Sequence, residues 1–247
     1  MCEKAVSLGL THLAITDHYD INAVEEGIYP RPDLEGIAEC IEQARKKYSS
    51  RLIISRGIEL GSALQYPERA REILKEGDFD TVVASVHYMR YHNDFYYWDM
   101  TDQTKESFER AFLLYLDDIE ETLDMGHVQV LAHLTYPLRY FLAGGKLFPI
   151  FFAEKKIESI LSKVIKKGVL LEVNSSGFRQ GLDAPLPDRY ILEMYRELGG
   201  RLISTGSDAH SPDQIGQSYG LCADYLKSCG FTKAHFIMKN EIYQCEI

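Results

Sequence analysis

Five strand-like runs of apolar residues in this chain each end in a His, Asp or Glu side chain. The endings are Thr16-Asp17-His18, Gly57-Ile58-Glu59-Leu60, Ser85-Val86-His87, Leu131-Ala132-His133 and Ser207-Asp208-Ala209-His210. In an α/β barrel, strands that run in one direction point such residues at the same face, where the active sites of that architecture lie. The pattern therefore predicts an α/β fold with a polar cluster at one end of a parallel barrel.

The rest of the chain fits repeated βα units, because apolar strand-like runs alternate with amphipathic helical stretches. Strands are predicted at 11–16, 51–60, 80–86, 128–133, 169–174 and 201–206. Helices are predicted at 1–8, 33–48, 67–76, 104–125, 154–167, 187–198 and 212–228. The last residues, 235–247, alternate enough to predict an edge strand outside the barrel.

The length and the charge of the chain indicate how many domains it forms and which partners it can bind. The chain has 247 residues, 45% of them hydrophobic, and no Pro/Gly/Ser-rich linker, so we predict a single domain over residues 1–247. With 27 basic and 37 acidic residues the net charge is -10, which repels phosphate backbones and makes nucleic acid a poor partner. A small substrate that is partly cationic would be tolerated better.

The five cysteines indicate neither a disulfide framework nor a thiolate metal site. Their number is odd and they form no CxxC pair, which fits a reducing cytoplasm. The first apolar stretch is interrupted by Glu3, Lys4 and Thr11, so the sequence indicates neither a signal peptide nor a membrane span. We therefore predict a cytoplasmic protein without a membrane partner.

The strand endings, taken together, favour a metal site. Imidazole and carboxylate groups without thiolate suit Zn, Mn or Fe. Taken singly, a strand-end His is more often a satisfied core or capping residue. The chain has only eight His, however, so chance does not explain why several strands end in this way. The other four His residues are predicted to have structural roles: His12, His92, His127 and His235.

Two longer loops, 88–104 and 136–152, follow His87 and His133 and are expected to overhang this face. The first contains Phe95-Tyr96-Tyr97-Trp98-Asp99. This segment is either a packed aromatic lid or an aromatic and acidic surface for a flat cationic group of a ligand. The packed lid is the simpler interpretation, and the second stays open.

In this order and at strand ends, the motifs resemble those of the polymerase and histidinol phosphatase (PHP) superfamily, most closely its histidinol-phosphate phosphatase branch. The segments that carry the resemblance are Ile15-Thr16-Asp17-His18, Gly57-Ile58-Glu59-Leu60, Ser85-Val86-His87, Ala132-His133, Glu172-Val173-Asn174-Ser175-Ser176-Gly177 and Gly206-Ser207-Asp208-Ala209-His210. The resemblance implies a distorted seven-stranded (β/α) barrel, similar to a TIM barrel, that holds up to three divalent metal ions.

The resemblance also implies the ligands of these ions, position by position. The implied metal ligands are His18, Glu59, His87, His133, Asp208 and His210. Glu59 would bridge two ions, one of which His87 and His133 complete. Asp208 would bind the other bridged ion, and the remaining two His would bind the third. Asp17 would either orient an imidazole through its N–H or cap the following turn.

The implied chemistry is hydrolysis of a phosphate monoester by water. Clustered divalent ions offset the charge of the phosphate and ionise a bridging water near neutral pH, so Glu59 and Asp208 would be catalytic as their ligands. Arg179 would be both catalytic and substrate-binding, because it matches a phosphate-binding position of such phosphatases, where bidentate geometry suits Arg. Arg139 is a second candidate for the phosphate. Asn174 would either hydrogen-bond the substrate or cap a turn.

The chain departs from the family pattern at its start. Family members begin with a barrel strand that carries a His-x-His pair and a further ligand, whereas residues 2–10 here read as the helix after that strand. We therefore expect an N-terminally incomplete barrel, through truncation or as a natural fragment, with fewer than three ions. Unpaired strand edges beside the gap would favour self-association or local disorder.

The leading functional hypothesis is a metal-dependent phosphomonoesterase that hydrolyses L-histidinol phosphate to L-histidinol and phosphate in histidine biosynthesis. One alternative is a PHP phosphoesterase for another small phosphate or nucleotide. Another is a metal-binding remnant without catalytic activity. Assays on a panel of phosphorylated metabolites separate the three, because the remnant would bind metal without turnover.

Overall fold

The computed structural model describes residues 1–146 and 148–247, and its centre is a curled parallel sheet. Within these ranges six strands lie side by side in chain order: β1 (His12–Asp20), β2 (Ile53–Gly61), β3 (Thr81–Ser85), β4 (Val130–Leu131), β5 (Leu170–Asn174) and β6 (Ile203–Gly206). Each strand pairs in parallel with the next. The predicted α/β fold is confirmed as a half-barrel of six strands, while the seven-strand count and the missing first strand stay predictions.

Helices connect and cover these strands. In the described ranges they are α1 (Cys2–Ser7), α2 (Ile21–Glu25), α3 (Leu34–Tyr48), α4 (Pro67–Glu76), α5 (Lys105–Thr122), α6 (Leu138–Ala143), α7 (Glu154–Lys167), α8 (Ser176–Arg179), α9 (Arg189–Glu197) and α10 (Tyr219–Ser228). Asp33 and Asp188 cap α3 and α9 by accepting hydrogen bonds from the backbone N–H groups of Gly36 and Ile191. None of these helices is both long and apolar enough to cross a bilayer.

The main apolar core lies between the outer side of the sheet and helices α5, α7 and α9. Phe108 and Leu161 are fully buried in it, together with Leu171 and Val173 of β5. Because side chains alternate along a strand, Glu172, which stands between Leu171 and Val173, lies on the inner side of β5. The outer side of the sheet therefore provides packing, and the inner side is left for polar groups.

The chain ends in a hairpin that lies across the amino-terminal ends of the sheet strands. β7 (Lys233–Met238) pairs in antiparallel register with β8 (Glu241–Glu246). The sequence predicted one edge strand here; the turn was missed, in which Lys239 and Asn240 adopt φ values of 52° and 63° that suit a two-residue hairpin. Ile237 of β7 packs with Val130 and Leu170, which begin their strands.

His12 contributes to this closed end of the sheet. Its ring stacks on Phe236 with centroids 4.0 Å apart, and its Nε2 atom lies 2.8 Å from Oγ of Ser55. Burial lowers the pKa of His12 to about 4, although Asp80 partly opposes the shift. The imidazole is therefore uncharged at neutral pH, which fits the structural role predicted for it.

Three short helices differ from the predicted pattern. α2, α6 and α8 lie in stretches where no helix was predicted, and they have only five, six and four residues. Helices this short complete too few turns for hydrophobic periodicity to reveal them. In addition, the helix predicted at 212–228 begins only at Tyr219, after a 3-10 turn at Pro212–Gln214. Leu147, in the second predicted loop, lies outside the described residues.

Candidate functional site

The predicted metal ligands lie at the carboxyl ends of the strands. His18 of β1 and Glu59 of β2 are register partners near the ends of their strands. His87, His133 and Asp208 each lie two residues beyond the last residue of β3, β4 and β6. Since these strands are parallel, their carboxyl ends meet at one edge of the sheet.

Glu59 is at the centre of this cluster and is only 8% exposed. Its Oε1 atom lies 3.3 Å from Nε2 of both His87 and His133, and 3.9 Å from Nδ1 of His18. Burial alone would raise the pKa of Glu59, but hydrogen bonds from His133 and His87 and the charge of His18 outweigh it and hold the pKa well below its usual value. The carboxylate is therefore ionised.

A second group connects the first and last strands of the sheet. The ring centroids of His18 and His210 are 5.4 Å apart, and Nδ1 of His210 lies 3.5 Å from Oδ1 of Asp208. Because β1 and β6 are the edges of the sheet, this contact shows how strongly the sheet curls. Asp208 adopts a φ of 49°, a left-handed conformation that costs energy and is often found at functional sites.

Asp20 is a site residue that the sequence analysis missed. Its Oδ1 atom lies 2.7 Å from Nδ1 of His87, a contact that orients the imidazole. Asp17, which was the candidate for such a role, is exposed on the other side of β1 because side chains alternate along a strand. The two-residue spacing of His18 and Asp20 could have shown that they lie on the same side of β1. The strand was predicted to end at residue 16, so this spacing was not used.

The donor atoms of this cluster fit divalent metal ions. Glu59, His87 and His133 offer ligand atoms within 4.8 Å of one another, and so do His18, Asp208 and His210. Both ring nitrogens of His87 face carboxylates, Nδ1 at Asp20 and Nε2 at Glu59, so each contact is favourable only with a proton or a cation between the two atoms. Among the described residues, the buried Nδ1 of His133 has no hydrogen-bond partner. Nitrogen and oxygen donors without thiolate suit Zn, Mn or Fe.

Both arginines predicted to bind phosphate lie beside Asp208. Nη1 of Arg139 lies 3.1 Å from Oδ2 of Asp208, so the two side chains form an ion pair. Arg179 donates to the backbone carbonyl groups of Ser207 and Asp208 at 3.1 and 3.0 Å. Two guanidinium groups therefore concentrate positive charge next to one end of the metal-ligand cluster.

Asn174 is buried and its amide is bound within the protein. Its Nδ2 donates to Oε2 of Glu172 at 3.2 Å, and its Oδ1 accepts from the backbone N–H of Ser176 at 2.9 Å. This geometry favours the turn interpretation of Asn174 over contact with a substrate. Glu172, to which the sequence analysis gave no role, also accepts from the backbone N–H of His133 at 2.8 Å and so helps to position that ligand.

The aromatic segment after His87 divides into two parts. Phe95 is buried in the core, and Trp98 packs against it with ring centroids 4.8 Å apart. Tyr96 and Tyr97 are 67% and 51% exposed. The packed-lid interpretation therefore holds for the first pair, while a ligand surface formed by the second pair stays a prediction.

Comparisons with known proteins agree with this geometry. The PHP domain model matches residues 1–176. The Thermotoga maritima protein named "Probable histidinol-phosphatase" is 28% identical over 227 residues, which cover 91% of this chain and 82% of the relative. The match to the family model extends from α1 through β5, so it includes four of the strand-end motifs described above.

Two solved structures share the fold. HisK of Listeria monocytogenes has a TM-score of 0.76 at 22% identity, over 90% of this chain and 92% of that one. Histidinol phosphate phosphatase of Lactococcus lactis, solved with zinc, L-histidinol and phosphate, has a TM-score of 0.71 at 23% identity, over 98% and 90%. Likeness at this identity shows the fold alone. Since the family match covers well over half of the residues, the chain belongs to the PHP domain family.

Proposed function

We propose that this chain is a metal-dependent phosphomonoesterase that hydrolyses L-histidinol phosphate to L-histidinol and inorganic phosphate. The observation that carries the proposal is one buried carboxylate, Glu59, faced by three imidazoles at the same edge as two arginines. The names of the Thermotoga and Lactococcus relatives support the substrate. The L-histidinol and phosphate bound to the Lactococcus structure support it as well.

The proposed site assigns separate tasks to its residues. The residues that would hold the metal are His18, Glu59, His87, His133, Asp208 and His210. When bound, divalent ions supply positive charge that activates water and offsets the charge of a phosphate monoester. Asp20 keeps the His87 ring oriented. Arg139 and Arg179 would bind the phosphate oxygens and align phosphorus for in-line attack. The attacking group is the activated water, so Ser or Cys need not act as a nucleophile.

The finer features of fold, metal and location are also proposals. Contact between His18 and His210 across the edges of the sheet supports a barrel that is close to closure, and its seven-strand count rests on the resemblance to the family. Zinc is the first metal to test because the Lactococcus structure contains it, and Mn and Fe are the alternatives. The cysteines of the chain are all free thiols, which supports a reducing, cytoplasmic setting.

The test is phosphate release by the purified, zinc-loaded chain from L-histidinol phosphate and from a panel of small phosphate esters and nucleotides. We expect the highest kcat/KM for L-histidinol phosphate, loss of activity with a chelator, and recovery when zinc is added back. A clear preference for another ester would reassign the substrate. Tightly bound metal without any turnover would favour the metal-binding remnant.

A further inference from the structure

Asp94 is a carboxylate beside the site that belongs to neither the metal cluster nor the family motifs. It lies in the loop that follows His87 and is half-buried. Its Oδ1 atom accepts hydrogen bonds from the backbone N–H of Tyr96 at 2.9 Å and from the hydroxyl of Tyr136 at 2.7 Å. Because both bonds use the same oxygen, Oδ2 is left as an acceptor for another donor.

Tyr136 connects Asp94 to the candidate metal ligands. The centroid of its buried ring lies 5.0 Å from that of His87 and 5.1 Å from that of His133. The hydroxyl at the far end of the ring is the group that bonds to Asp94. Tyr136 therefore links Asp94 to the two imidazoles.

The face of the Tyr136 ring and its hydroxyl group contact side chains of opposite charge. The guanidinium carbon of Arg139 lies 4.1 Å from the centroid of Tyr136, and Arg139 and Arg179 both contact Asp208. At the hydroxyl end, the partners of Asp94 are neutral, and burial raises the pKa of its carboxyl group. A half-buried carboxylate with neutral partners gains from a cationic one.

We propose that Asp94 binds the primary ammonium group of the substrate while Arg139 and Arg179 hold its phosphate. The inference rests on the proposed function, since L-histidinol phosphate carries an ammonium on the carbon next to its phosphorylated CH₂. Tyr136 contacts Arg139 through the face of its ring and Asp94 through its hydroxyl, and so sets the spacing of the two charged groups. Asp94 is thus a specificity-determining residue, because an ester without the amine would leave it with only its neutral partners.

The test compares wild type, Asp94→Asn and a control, Asp102→Asn, on two pairs of esters. The first pair is L-histidinol phosphate and its deamino analogue, 3-(imidazol-4-yl)propyl phosphate; the second is 2-aminoethyl phosphate and ethyl phosphate. Asn keeps one oxygen that can accept from Tyr96 and Tyr136, and it replaces the charged Oδ2 by an NH2 group that cannot accept from an ammonium. Asp102 is a carboxylate of the same loop, but it is exposed and lies outside the aromatic segment 95–99.

We expect Asp94→Asn to lower kcat/KM for both amino esters by about 10- to 100-fold, the range for a hydrogen bond to a charged group. Both deamino esters should be nearly unaffected, and Asp102→Asn should change neither pair. A second measurement needs no turnover: by calorimetry, Asp94→Asn should weaken binding of L-histidinol but not of 3-(imidazol-4-yl)propan-1-ol.

Equal losses for amino and deamino esters would overturn the proposal, because Asp94 would then act through Tyr136 and Arg139. Tyr136→Phe should reproduce such a pattern. If Asp94→Asn leaves kcat/KM for the amino esters unchanged, the proposal is overturned as well. If wild type does not favour L-histidinol phosphate, the proposed function fails separately, and the 2-aminoethyl and ethyl pair together with calorimetry still decides whether Asp94 binds an ammonium group.

Discussion

The imidazole of His87 and the carboxylate of Asp20 lie 2.7 Å apart, between Nδ1 and Oδ1, although 67 residues separate them in the chain. The carboxylate accepts the Nδ1 proton, so the opposite nitrogen of the ring faces Glu59 at 3.3 Å. Pairing of this kind fixes both the tautomer and the orientation of a metal-binding imidazole. The geometry of the candidate metal site thus depends on a residue that the sequence motifs did not identify.

Replacing Asp20 should therefore weaken metal binding. We expect Asp20→Asn to lower zinc affinity by roughly 10- to 100-fold, the usual cost of losing such a partner, without unfolding the chain. Competition with a chromophoric chelator measures the affinity. The control is Asp17→Asn, which changes an exposed carboxylate on the other side of the same strand. Equal zinc affinity in wild type and Asp20→Asn would rule out the positioning role.

Replacing Glu59 should abolish phosphatase activity and leave the fold intact. The change to Gln keeps the size of the side chain but removes the charge that faces three imidazoles. Phosphate release measures activity, and circular dichroism with thermal melting reports the fold. Glu68→Gln, on the exposed side of α4, is the control and should retain full activity. An active and metal-replete Glu59→Gln would remove this carboxylate from the mechanism.

Replacing Arg179 should weaken substrate binding more than turnover. We expect Arg179→Ala to cost roughly 1.5–3 kcal/mol in kcat/KM, mostly through a higher KM, because a charge-assisted contact to the phosphate is lost. Steady-state kinetics on L-histidinol phosphate separates the two constants. Arg110→Ala on the exposed side of α5 is the control. If kcat falls while KM does not change, Arg179 acts instead by bracing the carbonyl groups of Ser207 and Asp208.

His12 should make stability depend on pH. Its pKa is about 4 in the folded chain and about 6.5 when unfolded, so between these values the unfolded chain binds a proton that the folded chain does not. Stability therefore falls as the pH drops through this window, by at most about 3 kcal/mol for this group. Urea denaturation at about pH 7 and about pH 4.5, with chelator present, measures the loss.

The variant His12→Gln should lose less stability than wild type over the same interval, since Gln can still bond to Ser55 but cannot be protonated. The exposed His127 gives the control His127→Gln, which should keep the pH dependence of wild type. Identical pH dependence in wild type and His12→Gln would show that His12 is already protonated or solvated in the folded chain.

The sheet could be predicted from sequence because its signals are local. Each strand is a short apolar run, and the helices after β2 and β3 begin at or within one residue of their predicted starts. The hairpin could not be predicted in the same way, because Lys239-Asn240 is not a strong turn sequence and its strands are stabilised by packing with Val130 and Leu170 from distant parts of the chain. Such contacts leave no local periodicity.

The candidate ligands could likewise be predicted, because strand-end His, Asp and Glu residues converge whenever the strands are parallel. The residues that orient these ligands could not be predicted from the sequence. Asp20, Glu172 and Tyr136 act through contacts with side chains or backbone that only the folded chain brings near. Asp94 is linked to the site by its hydrogen bond with Tyr136. Their roles depend on distances, which a motif does not contain.

The hairpin of β7 and β8 and the metal-ligand cluster lie at opposite ends of the same strands. β8 is exposed along its whole length, while Ile237 of β7 secures the hairpin to the closed end of the sheet. A linker attached at Glu241 would therefore leave the protein on the side away from the substrate. The molecule could be immobilised on a sensor or a resin in one orientation, with every copy presenting its acidic and basic groups to the flowing solution.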